Sequence, residues 1–412
     1  MSFSVRIRKF ATSLHVNVTA QNFSSFVSEN ETKAHVLYKK GCVTVNDETF
    51  GKRKHYRPPQ LYKPTFLKSL EVNNFSYQTE LFNEVDVKES CERAREILLE
   101  IGLHAPMNLL FAIEGKECTH YKTKRTQSIA YYLFEVVVKN KLHVSVGNIF
   151  SLKNVSKDLE KLRKELALAK LPVVKPHSLR GIILESQVVG TLFHEFAHLL
   201  EFDRSSWKIK RIIGKRIFDR KDLTVIEKPR MESFGFNMIT DEGIETKDIV
   251  LVKDGKVKEP IDSVVFRYEK GCCGYSETAN ELALPRTVNL YASIDDGEPY
   301  NSFLENEVAL IKNVAAFPVN FNPLNVLLDI TRIQGVLLKG NKPSGILTGN
   351  INLRLSLKHL IRDAVFSCEK GGKEPGFCIK HGQKVRSTQI APAALLRENT
   401  LELFLRAISN IR

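Results

Sequence analysis

The string HEFAH places His194, Glu195 and His198 within five residues of one another. Residues four apart on an α-helix stand one above the other, so the two imidazoles can offer nitrogens to a single ion at about 2.0–2.1 Å. Glu195 falls to one side of the pair. A general base belongs there, taking a proton from water polarised by the ion, which is the chemistry of metal-assisted hydrolysis. Chance yields an H-E-x-x-H string about 0.02 times in a chain of this length and composition. The bland reading is two core histidines beside a surface glutamate. It leaves polar groups on an otherwise apolar helix without partners, which is costly.

A catalytic zinc takes three protein ligands and keeps one position open. Glu201 lies seven residues after His194, on the same helix face, and would complete a His2Glu set. Cys378, in GFCIKHGQ, offers a thiolate, a strong zinc ligand. His381 is a third possibility but reads better as a surface-loop histidine. Spacing alone does not choose among them.

The elements that must carry these groups are legible in the pattern. GIIL (Gly181 to Leu184) reads as a buried strand, Ser186 can cap a helix, and the apolar run Val188 to Phe202 reads as that helix. Upstream, Val5 to Ile7, Leu14 to Val18 and Ala34 to Leu37 are strand-like. Val87, Cys91, Ala94, Ile97, Leu98 and Ile101 recur at helical spacing before Gly102. Strands are expected over Met107 to Ile113, Ile129 to Val138 and near Leu142 to Val146, and Val155, Leu159, Leu162 and Leu166 stripe a helix from about Val155 to Lys170. The two prolines of LPVVKPHS (Leu171 to Ser178) mark a domain boundary, dividing the chain into 1–175 and 176–412. Beyond it, IVLVKDGKV (Ile249 to Val257) reads as a hairpin about Asp254-Gly255.

Composition narrows the class. The chain has 412 residues, 43% of them hydrophobic, enough for buried cores, and no apolar run reaches the roughly 18 residues that span a bilayer. The basic N-terminus lacks the apolar core of a secretory signal, and seven irregularly spaced cysteines argue against a disulfide framework. A cytoplasmic protein is expected. Cys42, Cys91, Cys118 and Cys368 read as isolated thiols, and the adjacent Cys272 and Cys273 as structural. The net charge of +14 permits nucleic-acid binding, with a dense stretch from Lys208 to Lys221. That stretch interleaves Ile209, Ile212, Ile213, Ile217 and Phe218 with its charges, as a half-buried segment does, and no nucleic-acid-binding signature accompanies it.

Four segments in order, VVGTLFHEFAHLLEFD, MITDEGIETKDIVLVKDGKV, ELALPRTVNLY and CIKHGQ, resemble the C-terminal half of the TldD/PmbA family of peptidases, once described as modulators of DNA gyrase. The likeness runs from about Gly181 to the end; the N-terminal part resembles the family only in position and mixed character. The resemblance implies an α+β protein of two domains: a mixed α/β N-terminal domain, and a C-terminal domain rich in antiparallel, barrel-like sheet that carries the metal-binding helix. It implies a homodimer, or a heterodimer with a paralogue, that encloses the active site and cleaves unstructured peptides. It also implies Zn2+ held by His194, His198 and Cys378, because Cys378, Lys380, Gly382 and Gln383 match the family's C-G-K-x-G-Q loop. Glu201 and Asp203 then match an acidic pair with a supporting or substrate-end role, and Asp241, Glu242 and Gly243 match a turn whose backbone lies near the peptide.

Two departures accompany the likeness. The family motif is H-E-x-x-x-H, whose step of five needs a local bulge, whereas four residues bring His194 and His198 onto one face of a regular helix. In GCCGYSETAN, Tyr275 and Ser276 stand where basic residues are common. The competing readings are a non-catalytic subunit paired with a metal-bearing paralogue and, on charge alone, a nucleic-acid-binding protein.

Overall fold

The computed structural model describes the chain except residues 1, 18–21, 40–41, 57–73, 103–104, 121–122, 176–178, 267, 269–270, 305–306, 320–321, 324, 370 and 412. Eight strands form the first sheet: β1 Ser2–Asn17, β2 Asn22–Lys39, β3 Cys42–Asp47, β4 Arg53–Tyr56, β5 Phe75–Gln78, β6 Met107–His120, β7 Thr123–Val138 and β8 Leu142–Ile149. Their order is β4-β3-β2-β1-β6-β7-β5, with β8 also paired to β7. The two short strands expected over residues 5–7 and 14–18 are thus one long β1; residue 18 lies outside the described residues, as do 176–178 of the expected linker and the side chain of Cys42.

Helices α1 (Glu84–Ile101) and α2 (Leu152–Ala167) cover this sheet. Asn83 and Asp86 cap α1 reciprocally, each side chain accepting from the other's backbone N–H, and Gly102 closes it at φ 67°, a conformation glycine adopts without a Cβ clash. The predicted stripe of Val155, Leu159, Leu162 and Leu166 is the buried face of α2, packed with Ala94 and Leu98 of α1 against Phe111 and Phe134.

Two further six-stranded sheets lie beyond residue 180. One comprises β10 Leu223–Glu227, β11 Ile249–Lys253, β12 Lys256–Val257, β15 Asn289–Ile294, β20 Glu374–Lys380 and β21 Gln383–Ile390, in the order β12-β11-β10-β15-β21-β20. The other comprises β9 Gly181–Leu184, β16 Val308–Pro318, β17 Leu327–Lys339, β18 Lys342–Ser356, β19 Val365–Phe366 and β22 Ala394–Leu395, in the order β18-β17-β16-β9-β22-β19. A small pair, β13 (Gly274–Tyr275) and β14 (Leu284–Pro285), completes the strands. Asp254 and Gly255, both at positive φ, turn β11 into β12 as the sequence predicts.

Helix α3 (Ser186–Ala197) lies between these two sheets, its Val188, Val189, Leu192, Phe193 and Phe196 in one core with Leu290 and Ala292 of β15 and with Ala309 and Ile311 of β16. Enclosure from several sides is why the helix is apolar almost all round, and each such side chain contributes about 1.5–3 kcal/mol on burial. It also corrects the expected barrel-like closure. Among the described residues all three large sheets are open, and the β9–β16 and β15–β21 pairs are parallel. A helix filling the space between the two later sheets keeps them as separate layers. Packing also crosses the predicted division at 175/176, where Val5, Ile7 and Cys118 share a cluster with Val265 and Leu284, and Tyr131 one with Phe234.

The basic stretch from Lys208 is half-buried as predicted. Ile209 and Ile212 of helix α4 (Phe202–Ile212), then Ile217 and Phe218, are buried while Lys210 and Arg211 face outward. No described helix is long and apolar enough to cross a membrane.

Candidate metal centre

The apolar run Val188 to Phe202 is not one helix. After Ala197 the chain tightens into a 3-10 turn, His198–Leu200, and Glu201 takes an extended conformation (φ −73°, ψ 121°) before α4 begins. Leu200 and Phe202 each bond to Ile261, so backbone pairing with a distant segment draws this stretch out of the helix. His198 therefore terminates α3, and Glu201 is freed to turn back on it. At the other end Glu185, not Ser186, is the N-cap residue, without a capping side-chain bond.

Strands β20 and β21 bring the second half of the site. His381 (φ 51°) and Gly382 (φ 81°) form their tight turn, with Lys380 paired to Gln383 and Cys378 to Val385. His381 is exposed at the tip, so it is no candidate ligand. Alternation along β20 points Cys378 and Lys380 inward and leaves Phe377 and Ile379 exposed.

These elements bring one ligand atom each from His194, His198 and Cys378 within 4.8 Å of one another, all three residues being buried. The imidazole rings stand nearly perpendicular (84°), their centroids 4.6 Å apart, and the Cys378 sulfur lies 3.6 Å from Nε2 of His198. Burial pushes the Cys378 thiol up, yet the charge of His198 and hydrogen bonds from both histidines hold it well below its ordinary value. A thiolate between two imidazoles is a donor set suited to zinc or a similar thiophilic ion. The site thus fits a metal with His194, His198 and Cys378 as its holders.

Glu201, the alternative third ligand, sits behind this set. Its Oε1 lies 2.9 Å from Nδ1 of His198, and its Oε2 accepts from the fully buried ammonium of Lys380 at 2.7 Å. Lys380 also reaches Asp203 at 2.8 Å and the Pro285 carbonyl at 3.0 Å. Burial would push the Glu201 carboxyl up, but His198 and Lys380 hold it well below the usual carboxylate range. His198 is in turn raised well above its ordinary value, burial being outweighed by Glu201 and the Cys378 sulfur.

His194 is held differently. Gln389 of β21 places its side-chain amide 3.0 Å from His194 Nδ1. Gly190, one helical turn earlier, makes the approach possible, because a Cβ there would stand 2.9 Å from that of Gln389. Amide nitrogen and oxygen exchange by a flip, and with the oxygen toward Nδ1–H the other ring nitrogen keeps its lone pair for an ion.

A cavity of about 580 Å³ opens over the three residues, lined also by Glu195, Thr191, Glu374, Glu135, Phe317 and Gln389. Burial raises the Glu195 carboxyl above its ordinary value, against the lowering influence of His198 and His194. The Asp241-Glu242-Gly243 turn lines none of this cavity. Asp241 pairs instead with Lys116 of β6 at 2.6 Å, and Glu242 accepts the backbone N–H of Val264 at 2.8 Å. Tyr275 is buried under Lys116, away from the site. Sequence reasoning missed Gln389, Glu374 and Arg286, whose buried guanidinium clamps the carbonyls of Cys378 and Gln383. A buried arginine inside an apolar stretch, ALPRTV, was the one available signal.

A mixed α+β fold of open sheets enclosing a buried His-His-Cys set describes the class. Residues 180–326 match the PmbA/TldA metallopeptidase C-terminal domain. A protein of Archaeoglobus fulgidus named metalloprotease is 23% identical over 268 residues, 63% of this chain and 61% of its own length. The crystal structure of TldE from Thermococcus kodakarensis superposes with a TM-score of 0.64 at 12% identity, over 96% of this chain and 95% of that one. A Thermotoga maritima protein named for modulation of a DNA gyrase does so at 0.61 and 12%, over 96% and 94%. The structural likenesses establish the fold, and residues 180–326 are similar to the C-terminal domain of the PmbA/TldA metallopeptidases.

Proposed function

We propose that the chain is a zinc-dependent peptidase acting on unstructured peptides, with His194, His198 and Cys378 as metal ligands and Glu195 as general base. The observation that carries it is three buried donor atoms within 4.8 Å of one another in a cavity whose wall includes Glu195. When bound, zinc supplies Lewis-acid polarisation at this point. The Glu195 carboxylate takes a proton from the attacking water and passes it to the leaving amine. Its raised proton affinity suits both transfers. Glu201, made anionic by Lys380, holds the Nδ1–H of His198 and fixes which nitrogen faces the ion. The 580 Å³ cavity is roomy enough for a few residues of extended chain and too small for a folded domain, which favours peptide substrates. Assembly as a dimer, with itself or with a paralogue, is part of the same proposal.

The test combines metal analysis with hydrolysis of unstructured peptides, with and without chelator. About one zinc per chain and chelator-sensitive turnover are expected. Glu195→Gln should keep the metal and lose about 10²–10⁴ in rate. Unchanged turnover in that variant would remove the mechanism, and purified protein without stoichiometric metal would favour the non-catalytic subunit.

A further inference from the structure

The cavity over the metal centre has a charge character opposite to that of the molecule. The chain carries a formal +14, yet the cavity wall contains the carboxylates Glu135, Glu195 and Glu374 and not one lysine or arginine among the described residues. Two of the three carboxylates have work already. Glu195 is the proposed base, and Glu135 is paired to His143 at 2.8 Å. Glu374 differs. One of its oxygens accepts the Thr191 hydroxyl at 3.1 Å, and the other has no hydrogen-bond partner among the described residues. No cationic side chain comes within ion-pair distance of it among the described residues. Glu374 also lines an adjoining smaller cavity with Lys161, Lys312 and Lys373, but Lys312 is bound to Glu165 and neither Lys161 nor Lys373 forms an ion pair with Glu374.

Its position gives this half-buried group a role. Thr191 lies four residues before Glu195 on α3, about 6 Å along the axis and on the same helix face, so the carboxyl it anchors lines the same cavity as the proposed base. Across the hairpin Glu374 pairs with Gln389, the residue that holds His194, so the register that builds the metal centre also fixes Glu374 beside it. Partial desolvation there makes a charge-assisted bond stronger than it would be in water.

We propose that Glu374 is a specificity-determining residue that receives an ammonium or guanidinium group of the peptide next to the scissile bond, so that the cavity selects cationic peptides. The inference rests on the peptidase reading for what enters the cavity. It makes a claim about binding that can be read without turnover. Burial holds the Glu374 carboxyl up at about 7, which agrees with a site completed by an incoming cation.

The experiment uses the full-length Glu195→Gln protein loaded with zinc and fluorescent peptides of one length, acetylated and amidated, that differ at one central residue: arginine, lysine, norleucine or glutamate. A fifth peptide has a free α-amino group and no basic side chain. Anisotropy should show the arginine and lysine peptides binding about tenfold tighter than norleucine, with glutamate weakest. Tight binding by the fifth peptide instead would assign the cation to the α-amino group. Adding Glu374→Gln, which keeps an acceptor for Thr191, should bring the basic peptides within about twofold of norleucine, and Glu374→Lys should favour glutamate. In the Glu374-intact protein the preference should also shrink as salt rises from about 0.05 to 0.5 M. Equal binding of all peptides, or a preference that survives both substitutions or ignores salt, overturns the inference. If wild-type protein cuts none of the peptides while the Glu374-dependent preference persists, hydrolysis fails and the inference stands; turnover without preference gives the reverse.

Discussion

Nδ1 of His198 lies 2.9 Å from Oε1 of Glu201, a carboxylate whose second oxygen is locked to a buried lysine. That lysine, Lys380, is two residues beyond Cys378 on the same inward-facing edge of β20. One strand therefore delivers both a proposed ligand and the counter-charge that keeps the partner of another proposed ligand ionised. Glu201→Gln should lower zinc affinity about 10–100-fold, because the amide either holds the imidazole more weakly or presents a donor to Nδ1. Competition with a chromophoric chelator measures this. Affinity within a factor of two of wild type would mean that Glu201 merely neutralises Lys380.

Cys378→Ala should cost more than that, since it removes a ligand rather than its support. The expected outcome is loss of stoichiometric zinc at chelator concentrations where Glu201→Gln still binds. Full retention of the ion by the alanine variant would return Glu201 to the ligand set.

Gly190 offers a test in which no polar group changes. A Cβ at this position would meet the Cβ of Gln389 at 2.9 Å and cannot be accommodated unless β21 moves back from α3. Gly190→Ala should gain about 0.5–1 kcal/mol from helix propensity and lose about 1–3 kcal/mol to overpacking. It should weaken zinc binding in parallel with Gln389→Leu. A Gly190→Ala protein with wild-type zinc affinity would show that the Gln389 contact does not position His194.

The helices and the hairpins were legible because each announces itself locally: the stripe of α2, Gly102 after α1, Asp254-Gly255 between β11 and β12. So were His194 and His198, since a step of four needs no tertiary knowledge. What the pattern could not show is where one apolar run breaks. Nothing in HLLEF says that Leu200 and Phe202 will pair with Ile261, sixty residues on, yet that pairing ends the helix at His198 and turns Glu201 toward it. The open sheets escaped for a similar reason. Which strands become neighbours, as β15 and β21 do in parallel, is set by long-range packing around α3 and not by alternation within either strand. Cys378 was singled out through resemblance, because a lone cysteine in a strand carries no spacing signal of its own.

Three buried carboxyls make a prediction about pH. Burial, with Asp241 and Asp262 nearby, pushes Glu242 up to about 8, and burial raises Glu227 to about 7, although each accepts backbone hydrogen bonds. Glu201 is shifted the other way. A carboxyl raised in the folded state binds protons that the unfolded chain releases, so its stabilising contribution is complete below the unfolded value near 4.3 and is lost as pH climbs through the folded value. Glu201, being lowered, contributes above its unfolded value and loses that contribution only under acid. Between pH 5 and 9 Glu242 and Glu227 should therefore each withdraw stability from the metal-free protein as pH rises, by at most about 1.4 kcal/mol per unit. Glu242→Gln separates one of them. The amide keeps one oxygen for the N–H of Val264 but presents a donor toward Val265, so it should cost about 1–3 kcal/mol at pH 5. Having no proton to lose, it should show a shallower decline, and the gap to wild type should narrow steadily toward pH 9. Urea unfolding at a series of pH values measures the gap, and a constant gap from pH 5 to 9 would mean that Glu242 does not titrate in that range.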